Sequence, residues 1–177
     1  HSAAAIESHR LPTEVRRRAD DLALIHEVGR NMVATLEMDR LMRIGVEGLA
    51  LITRAPDAFL LMPDSAGQRL EIRASVHYRA ELAGYTLPIW PPESSLCAKA
   101  LHTRTPIAVP DMSKELRSHP DALRLMGITA ALVLPLVVRE RAIGVAFIMV
   151  SQGPRRLTPL EMVGASAITN QLALAVE

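Results

Sequence analysis

The single cysteine, Cys97, is the side chain of this 177-residue sequence that is best suited to nucleophilic chemistry. If Ser94 caps a helix, Cys97 lies in its first turn, where unpaired amide donors and the helix dipole favour the thiolate. The neighbours Leu96, Ala98 and Ala100 are apolar, and apolar surroundings oppose ionisation of a thiol. A reactive or ligand-facing thiol and a packed, structural residue both fit this pattern, and we expect the structural role.

The other residues that could do chemistry lack the spacing that a catalytic or metal site requires. One cysteine cannot form an internal disulfide or a multi-cysteine metal site, and the six histidines show no metal-ligand spacing. Neither a Ser-His-Asp order nor a phosphate-binding glycine loop is present. We therefore predict that this segment is not an enzyme and holds no cofactor.

An aromatic residue among prolines is the clearest candidate for a binding group. Trp90 lies in Leu87-Pro88-Ile89-Trp90-Pro91-Pro92, shortly after Tyr85, and could cover a flat or cyclic ligand. The alternative is a loop anchored by its own hydrophobic residue. The ligand-binding residues predicted from these loops are Tyr85, Trp90, Cys97, Asp111, Met112, His119, Leu125 and Met126.

Within that set, Asp111 offers one acceptor, and His119 is the histidine best placed for a pocket role, with an exposed loop position as its alternative. Aromatic residues make up only 3% of the chain, which weakens the case for a stacked nucleotide or tetrapyrrole. A modest, mostly apolar ligand with one donor group fits these residues better than a polyanion does.

Charge and hydropathy restrict the partners. With 20 basic and 19 acidic residues the net charge is +1, and Arg16-Arg17-Arg18 is the only basic run. The chain therefore offers no broad field for nucleic acid or an anionic membrane. Because no apolar run reaches the length of a membrane span and no signal peptide is apparent, we expect a cytoplasmic location.

The elements that must position these residues can be read from periodicity. Residues 127–150 predict two buried strands joined by the charged turn Arg139-Glu140-Arg141. Thr158, Pro159 and Glu161 then predict a capped closing helix. Upstream, the pattern indicates an amphipathic helix from Val15 to Leu36, a second helix capped by Asp39, and a hairpin formed by residues 59–62 and 70–76.

With these elements in this order, the chain resembles the GAF domain family, a small ligand-binding or regulatory module of signalling proteins. The likeness spans roughly residues 37–177. The residues that carry it are Gly127-Ile128, Leu134-Pro135-Leu136, Ala142-Ile143-Gly144-Val145 and Leu157-Thr158, preceded by the segments 41–51, 58–62, 70–76, 94–101 and 106–111.

The resemblance implies an α/β (α+β) fold with a central, mainly antiparallel sheet of five or six strands, helices on one face and a loop-covered pocket on the other. Residues 1–36 would be an N-terminal extension with an amphipathic linker helix, and residues 37–177 the GAF-like domain.

Some GAF relatives attach a bilin through a cysteine followed by histidine, but Ala98 follows Cys97 here. Others reduce methionine sulfoxide with a second, resolving cysteine, which this chain lacks. Axial ligation of a haem by His119 and binding of a cyclic nucleotide stay open but are not favoured.

For function, the resemblance implies a sensory input domain that binds a small molecule and signals through its terminal helices to an output domain, for which we expect a histidine kinase. The alternative is a ligand-free spacer whose role is structural and dimerising. Either way we predict a homodimer, formed by the helix of Leu22, Ile25 and Met32 together with the closing helix of Val163, Ile168 and Leu172.

Overall fold

A computed structural model describes residues 2–77, 79–115, 127–150, 153 and 155–177 of the chain. Residues 1–38 and residues 39–177 form two compact units, which we treat separately. Among the described residues, no helix has both the length and the apolar character needed to cross a membrane.

Helix α1 spans Ser2–Thr53, so its first part belongs to the N-terminal unit and its last turns belong to the unit 39–177. Two helices were expected here, with Asp39 as the cap of the second, but Asp39 lies inside one continuous helix. An aspartate can occupy a helix interior at a modest cost in propensity, and the first left-handed residue that can end this helix is Arg54, with φ 53°. In residues 12–38 the predicted apolar stripe is exposed, including Val15, Leu22, Ile25, Met32 and Leu36.

The unit 39–177 is built on one six-stranded antiparallel sheet, as predicted. Its strands are β1 (Asp57–Pro63), β2 (Arg69–Ser75), β3 (Thr86–Pro88), β4 (Ile107–Val109), β5 (Ala130–Val138) and β6 (Arg141–Val150), in the order β3-β2-β1-β6-β5-β4. The β5–β6 hairpin confirms the prediction for residues 127–150. Both residues of its turn, Arg139 and Glu140, have positive φ, which is the geometry that matches the twist of paired strands.

One face of this sheet carries the closing helix. Helix α3 (Pro159–Val176) packs on β5 and β6 and begins with the predicted capping box between Thr158 and Glu161. The last turns of α1 run antiparallel to α3. A Cβ atom at Gly45 would lie 2.7 Å from Leu172 Cδ2, and one at Gly164 would lie 2.7 Å from Ile52 Cγ1. Glycine at these positions lets the two helices approach each other closely.

Helix α2 (Leu96–Thr103) packs on β5 and β6 from the other face. Its cap is Ser95, whose Oγ accepts the Ala98 N–H at 3.0 Å, and not Ser94 as predicted. Ser94 instead ends a short 3-10 helix, Pro92–Ser94. Both serines carry a suitable capping oxygen. Ser94 belongs to the 3-10 helix that begins at Pro92, so Ser95 is the residue with the extended backbone that a cap requires.

Candidate functional site

Cys97 belongs to the apolar layer between α2 and the sheet. This layer, which we call the α2 cluster, consists of Phe59, Leu61, Leu70, Leu87, Leu96, Cys97, Ala100, Met112, Ile128, Ala131, Val133, Val145 and Met149. The Cys97 side chain is buried, and this burial raises the pKa of its thiol to about 12. The thiol is therefore neutral at physiological pH even though it occupies a first helical turn.

Two other predicted site residues meet Cys97 in the same layer. Met112 belongs to the α2 cluster, and its backbone N–H donates to the Thr129 carbonyl oxygen at 2.8 Å. Tyr85 is half-buried and packs against the cluster. Burial, and secondarily the nearby Cys97, raise the pKa of the Tyr85 phenol to about 12. The structure thus brings Tyr85, Cys97 and Met112 together in one apolar cluster.

Trp90 does not join them. Its side chain is 70% exposed and packs edge-on against the His102 ring, with the ring centroids 5.3 Å apart. His102 in turn contacts the Ile89 carbonyl oxygen through Nε2, at 3.0 Å. These two contacts connect the middle of the proline-rich segment to the surface of α2.

The Asp111 carboxylate is used locally. Its Oδ1 accepts the Ser113 hydroxyl at 2.6 Å and the Ser113 N–H at 3.1 Å, which caps the 3-10 helix Met112–Lys114. The Ser113 hydroxyl, more than any other group, holds the pKa of Asp111 below its usual range. Asp111 therefore shapes the turn that inserts Met112 into the α2 cluster.

The remaining predicted residues, His119, Leu125 and Met126, lie outside the described residues. The site as a whole therefore stays a prediction, with its described centre at Tyr85, Cys97 and Met112. Within the described ranges, no three or more His, Cys, Asp or Glu side chains group together as metal ligands.

Two polar residues that the sequence reasoning did not single out make contacts between distant segments. Asp57 is fully buried at the start of β1 and pairs with Arg79. Arg155, in the connection between β6 and α3, donates to the Thr53 carbonyl oxygen and to Glu161. For Asp57 a signal existed, since a carboxylate next to a continuous apolar run needs a partner when that run is buried.

Comparisons with known proteins agree with this architecture. The GAF domain family model matches residues 35–177. The GAF domain of a phosphoenolpyruvate-protein phosphotransferase from Acinetobacter is 16% identical, with a TM-score of 0.65 over 83% of this chain and 89% of that one. Residues 122 to 287 of a methyl-accepting chemotaxis protein are 24% identical, with a TM-score of 0.66 over 78% and 88%.

A domain described as part of a two-component sensor histidine kinase from Sinorhizobium meliloti 1021 is 20% identical, with a TM-score of 0.63 over 77% of this chain and 88% of that one. No curated protein matched the sequence. At these identities the solved structures establish the fold, and the family model covers most of the chain. The chain therefore belongs to the GAF domain family, whose members are in general regulatory and non-catalytic.

Proposed function

We propose that residues 39–177 form a sensory domain that binds a small, mostly apolar molecule on the α2 side of the sheet. The observation that carries this proposal is the convergence of Tyr85, Cys97 and Met112 on one apolar cluster. Each comes from a different segment, namely a loop, a helix and a 3-10 turn. The Tyr85 hydroxyl and the Cys97 thiol are the polar groups of these three side chains, and they suit a ligand with few polar groups of its own.

The output of the domain would pass through its terminal helices. The last turns of α1 and helix α3 approach each other closely at Gly45, Gly48 and Gly164, so a small shift of one helix changes the packing of the other. We propose a histidine kinase as the attached output domain. Support for it comes from the similar domain in a protein described as a two-component sensor histidine kinase.

Dimerisation is part of the proposal, and the exposed stripe of residues 12–38 supports it. Ile25 and Leu36 are each 66% exposed. A row of large apolar side chains on a solvent-exposed helix indicates a surface that a partner covers. On α3, Val163 of the predicted dimer face is exposed, as are Leu160 and Leu174. Leu172 was expected on the same face but is buried, because it packs against Gly45 of α1. We expect a dimer in sedimentation at micromolar concentration. Ile25→Glu should weaken it, whereas the neighbouring His26→Glu should not, and a monomer with no response to Ile25→Glu would contradict this assembly.

A ligand-free spacer is the second candidate, and one observation favours it. The members of the α2 cluster are each no more than 7% exposed, so the described part of this layer is filled by the protein's own side chains. In that case the domain would bind no ligand. It would act as a spacer between neighbouring domains, or transmit a signal between them, through its terminal helices.

Native mass spectrometry of the purified chain discriminates between the two candidates, because it reports bound molecules and subunit number together. The sensory function predicts an organic adduct. Cys97→Leu places a larger side chain at the proposed ligand site and should prevent the adduct from forming. Cys97→Ser preserves the side-chain volume and should retain the adduct. An adduct that survives Cys97→Leu places the ligand elsewhere, and the absence of any adduct after a metabolite screen supports the spacer.

A further inference from the structure

Arg155 contacts three segments of the unit 39–177 that are far apart in sequence. Its backbone N–H donates to the Pro110 carbonyl oxygen at 3.0 Å. Its guanidinium donates through Nη1 to the Thr53 carbonyl oxygen at 2.5 Å, and through Nη2 to the Glu161 carboxylate. One residue therefore joins the loop after β4, the end of α1 and the first turn of α3.

The Pro110 contact leads to the proposed ligand site. Pro110 is followed by the capped turn of Asp111 and by Met112, a member of the α2 cluster. Val109 precedes Pro110 and packs against the same cluster. A ligand that displaces Val109 or Met112 would therefore move the carbonyl group that holds the Arg155 backbone.

The two guanidinium contacts lead to the terminal helices. Thr53 is the last residue of α1, and its carbonyl oxygen is one of the helix-end acceptors that lack a partner within the helix. Glu161 is the acidic member of the capping box that begins α3. Arg155 and Glu161 side chains are only 28% and 12% exposed, so water competes weakly for this contact.

The planar guanidinium explains why one side chain can act on both helices. Its donors are held in a rigid fork, so Nη1 and Nη2 cannot move independently. A displacement of the Arg155 backbone changes both contacts together. Flexible side chains with a single donor would not transmit such a displacement to two acceptors.

From these contacts we infer that Arg155 is a positioning residue that couples the Pro110–Met112 loop to the ends of α1 and α3. The inference rests on the proposed function, because it specifies how occupancy of the α2 side would reach the terminal helices. The inference predicts a coupling free energy between the Pro110–Met112 loop and the helix ends, and a double-mutant cycle measures such a coupling directly.

The experiment perturbs the loop and observes the end of α1. Amide hydrogen exchange is followed by NMR for Arg54 and Ala55, whose N–H groups bond the Leu51 and Ala50 carbonyl oxygens. Val109→Ala loosens the loop mildly. We expect it to speed exchange at both amides about fivefold relative to amides of the β1–β2 hairpin, which does not pair with β4. A fivefold change is the scale of a modest coupling energy.

Arg155→Gln removes the guanidinium and keeps the backbone N–H that bonds Pro110. In that background Val109→Ala should have no additional effect on Arg54 and Ala55. Arg156→Gln is the matched control, because Arg156 is adjacent and exposed, and the fivefold response should persist in it. Normalisation to the β1–β2 hairpin removes any global loss of stability, which a merely structural role would produce.

Two outcomes would overturn the inference. One is an unchanged exchange rate at Arg54 and Ala55 when Val109→Ala is made in the wild-type chain. The other is an equal acceleration with and without the Arg155 guanidinium. If Arg155→Gln does not fold, Arg155→Lys provides the same comparison, because it keeps the charge and loses the fork. No ligand is used, so failure here leaves the mass-spectrometric test of ligand binding intact, and failure of that test leaves this one intact.

Discussion

The Nε atom of Arg79 lies 3.0 Å from Oδ2 of Asp57, a carboxylate with no exposed side-chain surface at the start of β1. The other oxygen, Oδ1, accepts the Ala58 N–H at 2.9 Å and the His77 N–H at 3.4 Å. A buried carboxylate is tolerated only with such partners. The pair therefore joins the segment that follows β2 to the first residue of β1.

Arg79→Met should destabilise the protein by about 2 kcal/mol, because it removes a charge-assisted hydrogen bond and leaves Asp57 without its cation. Urea unfolding measures the change. Arg73→Met is the control, since Arg73 is an exposed residue of β2, and it should change the free energy of unfolding little. Equal effects of the two substitutions would mean that the Asp57 contact contributes nothing.

Iodoacetamide should alkylate Cys97 slowly in the native chain and rapidly in denaturant. Burial holds the pKa of the thiol at about 12, against an ordinary value of 9.0, so the reactive thiolate is scarce at neutral pH. The folded state keeps a proton that the unfolded chain releases. The buried, protonated thiol therefore contributes its full stabilisation below pH 9, and this stabilisation is lost as the pH rises toward 12. Rapid native labelling would instead indicate a reactive thiol.

Tyr85 should ionise near pH 12 in a spectrophotometric titration of the Tyr78→Phe variant, which leaves Tyr85 as the remaining tyrosine. Burial is the main cause of the raised pKa, and the Cys97 charge is the second. Cys97→Ala should therefore lower the pKa of Tyr85 while keeping it above 10.0, the ordinary value. A Tyr85 phenol that titrates at its ordinary value would remove this residue from the buried layer.

Gly144→Ala should destabilise the protein by about 2 kcal/mol, as overpacking does in a dense core. A Cβ atom there would lie 2.9 Å from the Leu61 carbonyl oxygen, and backbone atoms cannot move away cheaply. Gly48→Ala is the matched comparison, because its Cβ would lie 3.5 Å from Ile168 Cδ1, an ordinary contact. That change should be neutral or stabilising, since alanine favours helix, and thermal unfolding of the two variants tests the difference.

Glu161 should contribute to stability above its ordinary pKa of 4.5 and lose this contribution as the pH falls below that value. The Thr158 N–H, followed by Arg155, holds the pKa of the Glu161 carboxyl below its usual range. The unfolded chain therefore binds a proton at a higher pH than the folded chain does. Glu161→Gln should flatten the acid limb of a stability–pH curve, and an unchanged curve would show that the capping box is not charge-dependent.

Most of the elements of the unit 39–177 could be predicted from the sequence because their signals are local. The apolar runs on either side of Arg139 and Glu140 require a hairpin, and Thr158 with Glu161 specifies where α3 begins. The errors were also local. Ser94 and Ser95 are equivalent as caps until the backbone of the 3-10 helix is known, and Asp39 is compatible with a helix start and with a helix interior.

The candidate site was harder to predict, because its members come from segments that only folding brings together. Tyr85, Cys97 and Met112 share one apolar layer, whereas Trp90 packs outward against His102 and Asp111 caps its own turn. Loop composition identifies residues able to bind a ligand, but it does not determine which way their side chains point. That direction depends on the backbone geometry of each turn.

Hydrophobic periodicity and capping residues act over a few positions, so the family, the antiparallel sheet and the closing helix could be predicted from the sequence alone. The contact of Arg155 with Thr53, across 102 residues, and the pairing of Arg79 with Asp57 depend instead on the tertiary structure. A hydrogen bond needs its two atoms within about 3 Å of each other. No local pattern encodes that proximity when the partners belong to elements that meet only in the packed sheet.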